Sequence, residues 1–222
     1  MAIRTVAIIQ ARMTSTRLPG KVMMPLAGAP LILRMLERVK RIKGLDAVCL
    51  AVPEGKIQEP LIQIAPKDVE VFCGDEHDVL KRTYDAAHYM EADVIMRITS
   101  DCPLIDPLVS GTILAGYLNS DVSYARTSIN SGYPHGFDTE VFSTATLNVA
   151  YKEARKKYER EHVTPFIWQR PNLFRAVEFD FWPNRRFWRL TVDTKYDYEL
   201  VSQVYNRLHP NKPSLFNTYF CI

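Results

Sequence analysis

Between an apolar run at Val6–Ile9 and a helical pattern beginning at Leu31 lies the stretch Gln10-Ala11-Arg12-Met13-Thr14-Ser15-Thr16-Arg17-Leu18-Pro19-Gly20-Lys21. It holds three cations, three small hydroxyl residues and one glycine. Backbone amides in such a turn can point at anionic oxygens while Arg and Lys neutralise charge, which is the combination a triphosphate needs. A basic surface loop is the plainer alternative. The spacing matches neither the Gly-x-x-x-x-Gly-Lys phosphate loop nor the Gly-x-Gly-x-x-Gly dinucleotide fingerprint. The nucleotide-binding candidates here are Gln10, Ala11, Arg12, Arg17, Gly20 and Lys21.

Carboxylates follow two later apolar runs. Arg97-Ile98-Thr99-Ser100-Asp101-Cys102-Pro103 puts Asp101 just past Val94–Ile98, with a proline close behind. A carboxylate so placed suits a divalent cation, since magnesium takes one or two carboxylates and completes its shell with water and phosphate oxygens. The plainer role is a helix cap, which Asp106 before Pro107 fits better than Asp101 does. Arg189-Leu190-Thr191-Val192-Asp193-Thr194 reads as another strand ending in an aspartate. Asp193 could equally cap a helix over 196–208. Between them, Phe72-Cys73-Gly74-Asp75 forms a turn after a strand, where Gly74 could approach a nucleotide. A plain turn with Asp75 as a helix cap explains it as well. Arg82 is a further phosphate or base candidate, and Ser100 sits beside Asp101.

These residues need a scaffold that brings distant loops together. Apolar runs at Val6–Gln10, Ala47–Val52, Val69–Phe72 and Val94–Ile98 alternate with helical spacing over 31–42, 56–64, the region after Asp75, and 107–119. Strand–helix alternation marks an α/β fold with a mostly parallel sheet flanked by helices, whose ligands gather at the carboxyl ends of the strands. The loops 11–21 and 99–106 both belong at that end. The second half is less regular. Phe137–Phe142 and Phe174–Phe181 read as strands, 143–157, 159–169 and 196–208 as helices, and 125–136 as loop. The stretch from Pro210 onward shows no periodicity. One domain over 1–222 is expected, with about 125–185 serving as an acceptor-side lid or a dimerisation extension.

Composition narrows the partners. The chain has 222 residues, 47% of them apolar and 24% charged, which is an ordinary globular profile. A net charge of +3 gives no reason to expect nucleic acid. No segment nears the roughly 20 apolar residues needed to span a bilayer, so no membrane partner is expected. The opening residues lack a secretory-leader layout, and a cytoplasmic location is the expectation. The four cysteines, at 49, 73, 102 and 221, have no zinc or redox spacing.

The order of residues in Ile8–Met13, Arg17–Lys21 and Pro25–Leu31 resembles the opening of the cytidylyltransferases, including the acylneuraminate and KDO enzymes. The nearest branch is the SpsF type of spore-coat polysaccharide biosynthesis proteins. One departure is Thr14, where glycine is common. The resemblance implies a nucleotide-diphospho-sugar transferase fold that is Rossmann-like. It implies CTP phosphates held by Arg12 and Lys21, Mg2+ held by Asp101 and Asp193, and catalysis by those four residues. Pro134–Phe142 and Tyr158–Pro165 resemble the family's acceptor-side segments, implying Asp138, Glu140, Glu161 and His162 as acceptor contacts. On alternation alone, Asp138 and Glu140 share one strand face. Asp197 matches no ligand of the family and is expected to face solvent. The implied reaction transfers CMP from CTP to a sugar or sugar acid, releases pyrophosphate, and is run by a homodimer. Another nucleotide is a rival. A glycosyltransferase on the same sheet is a weaker one, because Asp101-Cys102-Pro103 lacks the Asp-x-Asp motif.

Overall fold

The computed structural model describes residues 2–128 and 130–208. Four strands form its parallel half: β1 (Thr5–Gln10), β4 (Ala47–Pro53), β5 (Glu70–Gly74) and β6 (Val94–Thr99). A two-residue hairpin, β2 (Pro25–Leu26) and β3 (Ala29–Pro30), precedes helix α1 (Leu31–Val39). Its turn places Ala27 and Gly28 at φ 46° and 79°, the left-handed pair that a two-residue hairpin requires. Helices α2 (Glu59–Gln63), α3 (Val79–Tyr89) and α4 (Pro107–Leu118) follow β4, β5 and β6. The second half adds β7 (Tyr124–Arg126), β8 (Glu140–Ser143), α5 (Thr144–Glu153), α6 (Lys157–His162), α7 (Pro165–Trp168), β9 (Ala176–Glu178) and α8 (Lys195–Leu208).

The seven long-range strands make one sheet in the order β5-β4-β1-β6-β8-β7-β9. β1 pairs in parallel with β4 on one side and β6 on the other, while β8 runs antiparallel to β6. The expected α/β class is therefore observed, with a mixed sheet. Successive residues of β1 point to opposite faces, as the period of two demands. Ala7 and Ile9 pack with α1, α4 and α8 through Leu36, Ile113 and Val201. Val6 and Ile8 pack with α3, α5 and α7 through Leu80, Leu147 and Ile167. Both faces are covered, which is why these strands read as continuous apolar runs. Among the described residues no helix is long and apolar enough to cross a membrane.

Several boundaries differ from the sequence expectation. β7 overlaps the start of the expected 125–136 loop region, because three residues are too few to show a period. β8 starts at Glu140 rather than Phe137, since the backbone of 137–139 is spent elsewhere: Phe137 O accepts from the Thr127 hydroxyl at 3.0 Å, and Thr139 N donates to that same hydroxyl. Asp78 rather than Asp75 caps α3, accepting from Lys81 N at 2.9 Å. Asp75 instead closes the preceding turn, accepting from His77 N and Asp78 N at 2.8 Å each. Asp106 is fully buried and caps α4 as expected. The segment 189–194 is extended but forms only one isolated bridge, between Arg189 and His135. The stretch from Pro210 lies outside the described residues.

That extended segment rests against Gly136, which has φ 114°. A Cβ there would sit 2.6 Å from the Leu190 carbonyl carbon and 2.8 Å from Thr191 N, both rigid backbone. Gly136→Ala should therefore destabilise the protein by about 2 kcal/mol or more, through clash and φ strain together. Urea denaturation checks this, and a variant as stable as wild type would show that the contact gives way freely.

Candidate active site

The strand order reverses at β1. The chain moves from β1 to β4 and β5 on one side, then returns to place β6 on the other. Such a switch point opens a crevice at the carboxyl ends of the strands. The loops after β1 and β6 both rise there, and between them lies a cleft of about 470 Å³. Its lining includes Gln10, Ala11, Arg12, Arg17 and Lys21 from the first loop, Arg82 from α3, Ser100 and Asp101 after β6, and Asp193. Glu161 and His162 of α6 complete it on the opposite side. Residues from five separate parts of the chain thus share one cavity, as expected.

The first loop is closed by Gly20, whose φ of 70° a β-carbon would strain. Its N–H donates to Met13 O at 2.9 Å. A single 3-10 turn at Lys21–Met23 follows and points Lys21 inward. Thr14 is not in the left-handed region; its hydroxyl donates to Glu76 Oε1 at 2.6 Å. Gly20 and Gly74 are not part of the cavity wall: the first shapes the loop and the second packs under Arg82.

Lys21 joins the two aspartates. Its Nζ lies 3.1 Å from Asp193 Oδ1 and 3.5 Å from Asp101 Oδ2, and it donates to Val192 O at 2.7 Å. The backbone makes the same connection: Val192 N donates to Asp101 O at 2.8 Å, and the Thr191 hydroxyl to that oxygen at 3.1 Å. Asp193 also receives Arg17 at 2.8 Å on Oδ1 and Arg189 at 2.8 Å on Oδ2. Burial pushes its carboxyl up, but Lys21, Arg17 and Arg189 outweigh that and hold it below the usual carboxylate range.

Asp193 does not cap α8. Thr194 and Asp197 do so reciprocally: Asp197 N donates to the Thr194 hydroxyl at 3.2 Å, and Thr194 N to Asp197 Oδ2 at 2.9 Å. Asp197 also accepts from Asp193 N at 3.0 Å and from Arg189 Nε at 2.8 Å. The expectation that Asp197 faces solvent is corrected: it is buried and orders the segment that carries Asp193. Burial raises its carboxyl, but Arg189 and the backbone N–H groups of Asp193 and Thr194 bring it far below the ordinary value.

On the far wall, Arg82 is 2% exposed, and its Nε has no hydrogen-bond partner among the described residues. Burial, then the like charge of Arg12, pulls the Arg82 guanidinium down to about 10. Arg97 was not singled out from the sequence. It lies on β6 facing the cleft, donates to Gln10 Oε1 at 3.1 Å and pairs with Glu140. An arginine inside an apolar strand was the available signal, because a buried charge demands a partner. Lys157, Glu76 and His77 also line the cavity without having been singled out as site residues.

The expected acidic acceptor face is not formed. Glu140 is engaged by Arg97, by the buried Tyr124 hydroxyl and by the Thr164 hydroxyl at 2.6 Å. Asp138 precedes the strand, accepting from Gly136 N at 2.9 Å with Cys102 Sγ at 3.6 Å. Burial and the charge of Asp101 keep its carboxyl above the ordinary range, against the pull of His135 and Gly136 N–H. Neither acid lines the cavity, whereas Glu161 and His162 do. α6 ends in a tight turn: Thr164 N donates to His162 O at 2.8 Å around Val163 at φ 70° and ψ −60°, a strained conformation for a β-branched residue.

Two carboxylates converge, and no group of three or more His, Cys, Asp or Glu poised for a metal occurs among the described residues. That donor set fits a hard cation that draws its remaining oxygens from water and phosphate, and does not fit a structural zinc. With this geometry in place, the comparison with known proteins is specific: residues 6–212 match the model of the family described as Cytidylyltransferase. The chain belongs to the cytidylyltransferase family. It is similar to an uncharacterized protein of Methanocaldococcus jannaschii, 36% identical over 204 residues, or 90% of this chain and 83% of that one. It is similar also to the spore coat polysaccharide biosynthesis protein SpsF of Bacillus subtilis, 33% identical over 90% of this chain and 85% of that one. A solved cytidylyltransferase from Leptospira borgpetersenii superposes with a TM-score of 0.92 at 30% identity, covering 99% of this chain and 92% of that one. The α/β fold of this chain is thus that of a solved cytidylyltransferase.

The depressed carboxyls make stability depend on pH. Because folding lowers the pKa of Asp193 and Asp197, their stabilisation is fully present above the unfolded aspartate range near pH ~4 and is lost as pH falls through the folded values. Asp197→Asn should have a lower Tm than wild type at pH 7 and lose less on going from pH 5 to pH 3. Parallel Tm curves in circular dichroism would contradict the assignment.

Proposed function

We propose that this chain transfers CMP from CTP to a sugar or sugar acid and releases pyrophosphate, as a member of the SpsF-type branch acting in surface polysaccharide synthesis. The observation carrying this is the convergence of Asp101 and Asp193 on one ammonium, opposite a wall bearing Arg12 and Arg82. Arg12 and Lys21 hold the β and γ phosphates and stabilise the charge that develops on the leaving pyrophosphate. Gln10, Ala11, Arg17 and Ser100 line the nucleotide, and Arg82 offers its spare N–H to phosphate or base. Glu161 and His162 contact the acceptor from α6. Asp101 and Asp193 hold Mg2+, which supplies Lewis-acid polarisation of the α-phosphate when bound. Positioning supplies much of the remaining acceleration, because transfer to a fixed hydroxyl needs alignment more than covalent help.

The whole chain acts as one nucleotidyltransferase domain, and residues within 125–185 extend it towards a second subunit. The exposed Leu173, 65% accessible, lies in that extension, with Phe187, 86% accessible, just beyond it. A Leu173→Ser/Phe187→Ser variant should sediment as a monomer while the wild type sediments as a dimer. Equal sedimentation of the two would remove this surface from the interface.

A pyrophosphate-release assay with CTP, magnesium and a panel of sugar acids tests the activity. Wild type should turn over at least one acceptor, and chelation should abolish release. Asp101→Asn and Asp193→Asn should each lower kcat by about 100-fold or more with circular dichroism unchanged. Near-normal release by either variant would sink the carboxylate assignment. Equal turnover with UTP or GTP would sink the choice of CTP.

A further inference from the structure

We propose that Lys21 is a resident counter-ion of the carboxylate pair, displaced only when a triphosphate arrives to receive it, so that cation and nucleotide occupy the cleft together. This rests on the nucleotidyltransferase reading and concerns the order of filling of the same site.

Lys21 is the group that both aspartates face. Its side chain is 10% exposed and that of Asp193 8%, while Asp101 closes the contact from the cleft side at 25%. Both oxygens of Asp193 are already taken: Oδ1 by Lys21 and Arg17, Oδ2 by Arg189. A divalent cation shared by Asp101 and Asp193 therefore requires Lys21 to yield. The three cations are not equally held. Arg189 is fixed at its far side by Asp197 at 2.8 Å and by His135 Nδ1 at 2.9 Å. Arg17 is 65% exposed and bound at Asp193 alone among the described residues. Among the described residues the Lys21 ammonium has, besides the two carboxylates, a single hydrogen bond, to Val192 O. Arg17 and Lys21 are thus the two that can leave, and both point into the cavity.

Leaving is costly without an anion to meet them. The cleft already carries Arg12, Arg82 and Lys157, and an expelled ammonium would meet like charge in a confined space. A triphosphate changes the balance in two ways. Its oxygens accept Lys21 and Arg17, and others complete the shell of a cation that two carboxylates cannot saturate. Cation affinity must then rise with nucleotide, and reciprocity requires nucleotide affinity to rise with cation by the same factor.

The experiment measures Mn2+ binding itself, by electron paramagnetic resonance of the full chain without nucleotide. Wild type should bind Mn2+ weakly. Lys21→Met should bind at least about tenfold more tightly, since a buried positive charge beside the ion is gone. That gain should vanish in Asp101→Asn/Lys21→Met. Arg17→Ala, at an exposed position where folding is safe, should shift affinity in the same direction by about threefold. Unchanged Mn2+ affinity in both Lys21→Met and Arg17→Ala would overturn the proposal, as would a gain that survives loss of Asp101. Should Lys21→Met not fold, the Arg17→Ala result alone decides. The assay of pyrophosphate release from CTP is separate. Turnover with unchanged Mn2+ affinities removes only the displacement, and tighter Mn2+ binding without turnover on any acceptor removes only the transferase reading.

Discussion

One buried ammonium holds two carboxylates that are distant in sequence, and the local structure follows from keeping that charge balanced. Removing one member of such a cluster leaves an uncompensated buried charge, which is far more costly than the net gain from forming the pair. The balance explains several details. Gly20 takes a left-handed turn so that Lys21 enters the cleft rather than solvent. Thr194 and Asp197 cap α8 between them, leaving both oxygens of Asp193 free for cations. Arg189 then offsets Asp193 and Asp197 at once.

The sheet supplies the place for this cluster. β1 and β6 lie side by side at the reversal of strand order, so the loops that follow them are neighbours without any special contact between their sequences. The wall bearing Arg82 comes from a helix on one face, whereas Asp193 arrives from the segment entering α8 on the other. The cleft is therefore built from both layers, and changes in either layer reach it.

Much of this was legible in the residues. Strands buried on both faces announce themselves as apolar runs, and the ends of the four parallel strands fall within two residues of those runs. Arg12 and Lys21 lie in a basic loop after one apolar run and Asp101 and Asp193 follow two others; the family resemblance is what singles out these four, and all four line the cavity. What was not legible depended on partners. Glu140 alternates correctly for an exposed acid, yet Arg97, Tyr124 and Thr164 claim it, and nothing local signals partners from two strands and the α6–α7 connection. Asp197 read as exposed because Arg189, its main counter-charge, lies eight positions upstream in an extended segment rather than one turn away on a helix. Asp75 and Asp78 are both competent caps, and only the geometry of the turn decided between them.

The tie between Thr191 and Asp101 spans 90 residues of chain. Contacts of such separation form late, since the entropy of closing the intervening loop must be met before they contribute. On the ribosome, the β1–β6 sheet core emerges and can condense well before Asp193 is made. The loop after β1 can thus take up its turn while the charge cluster is still open. The cluster closes only with the segment that enters α8, the last helix among the described residues.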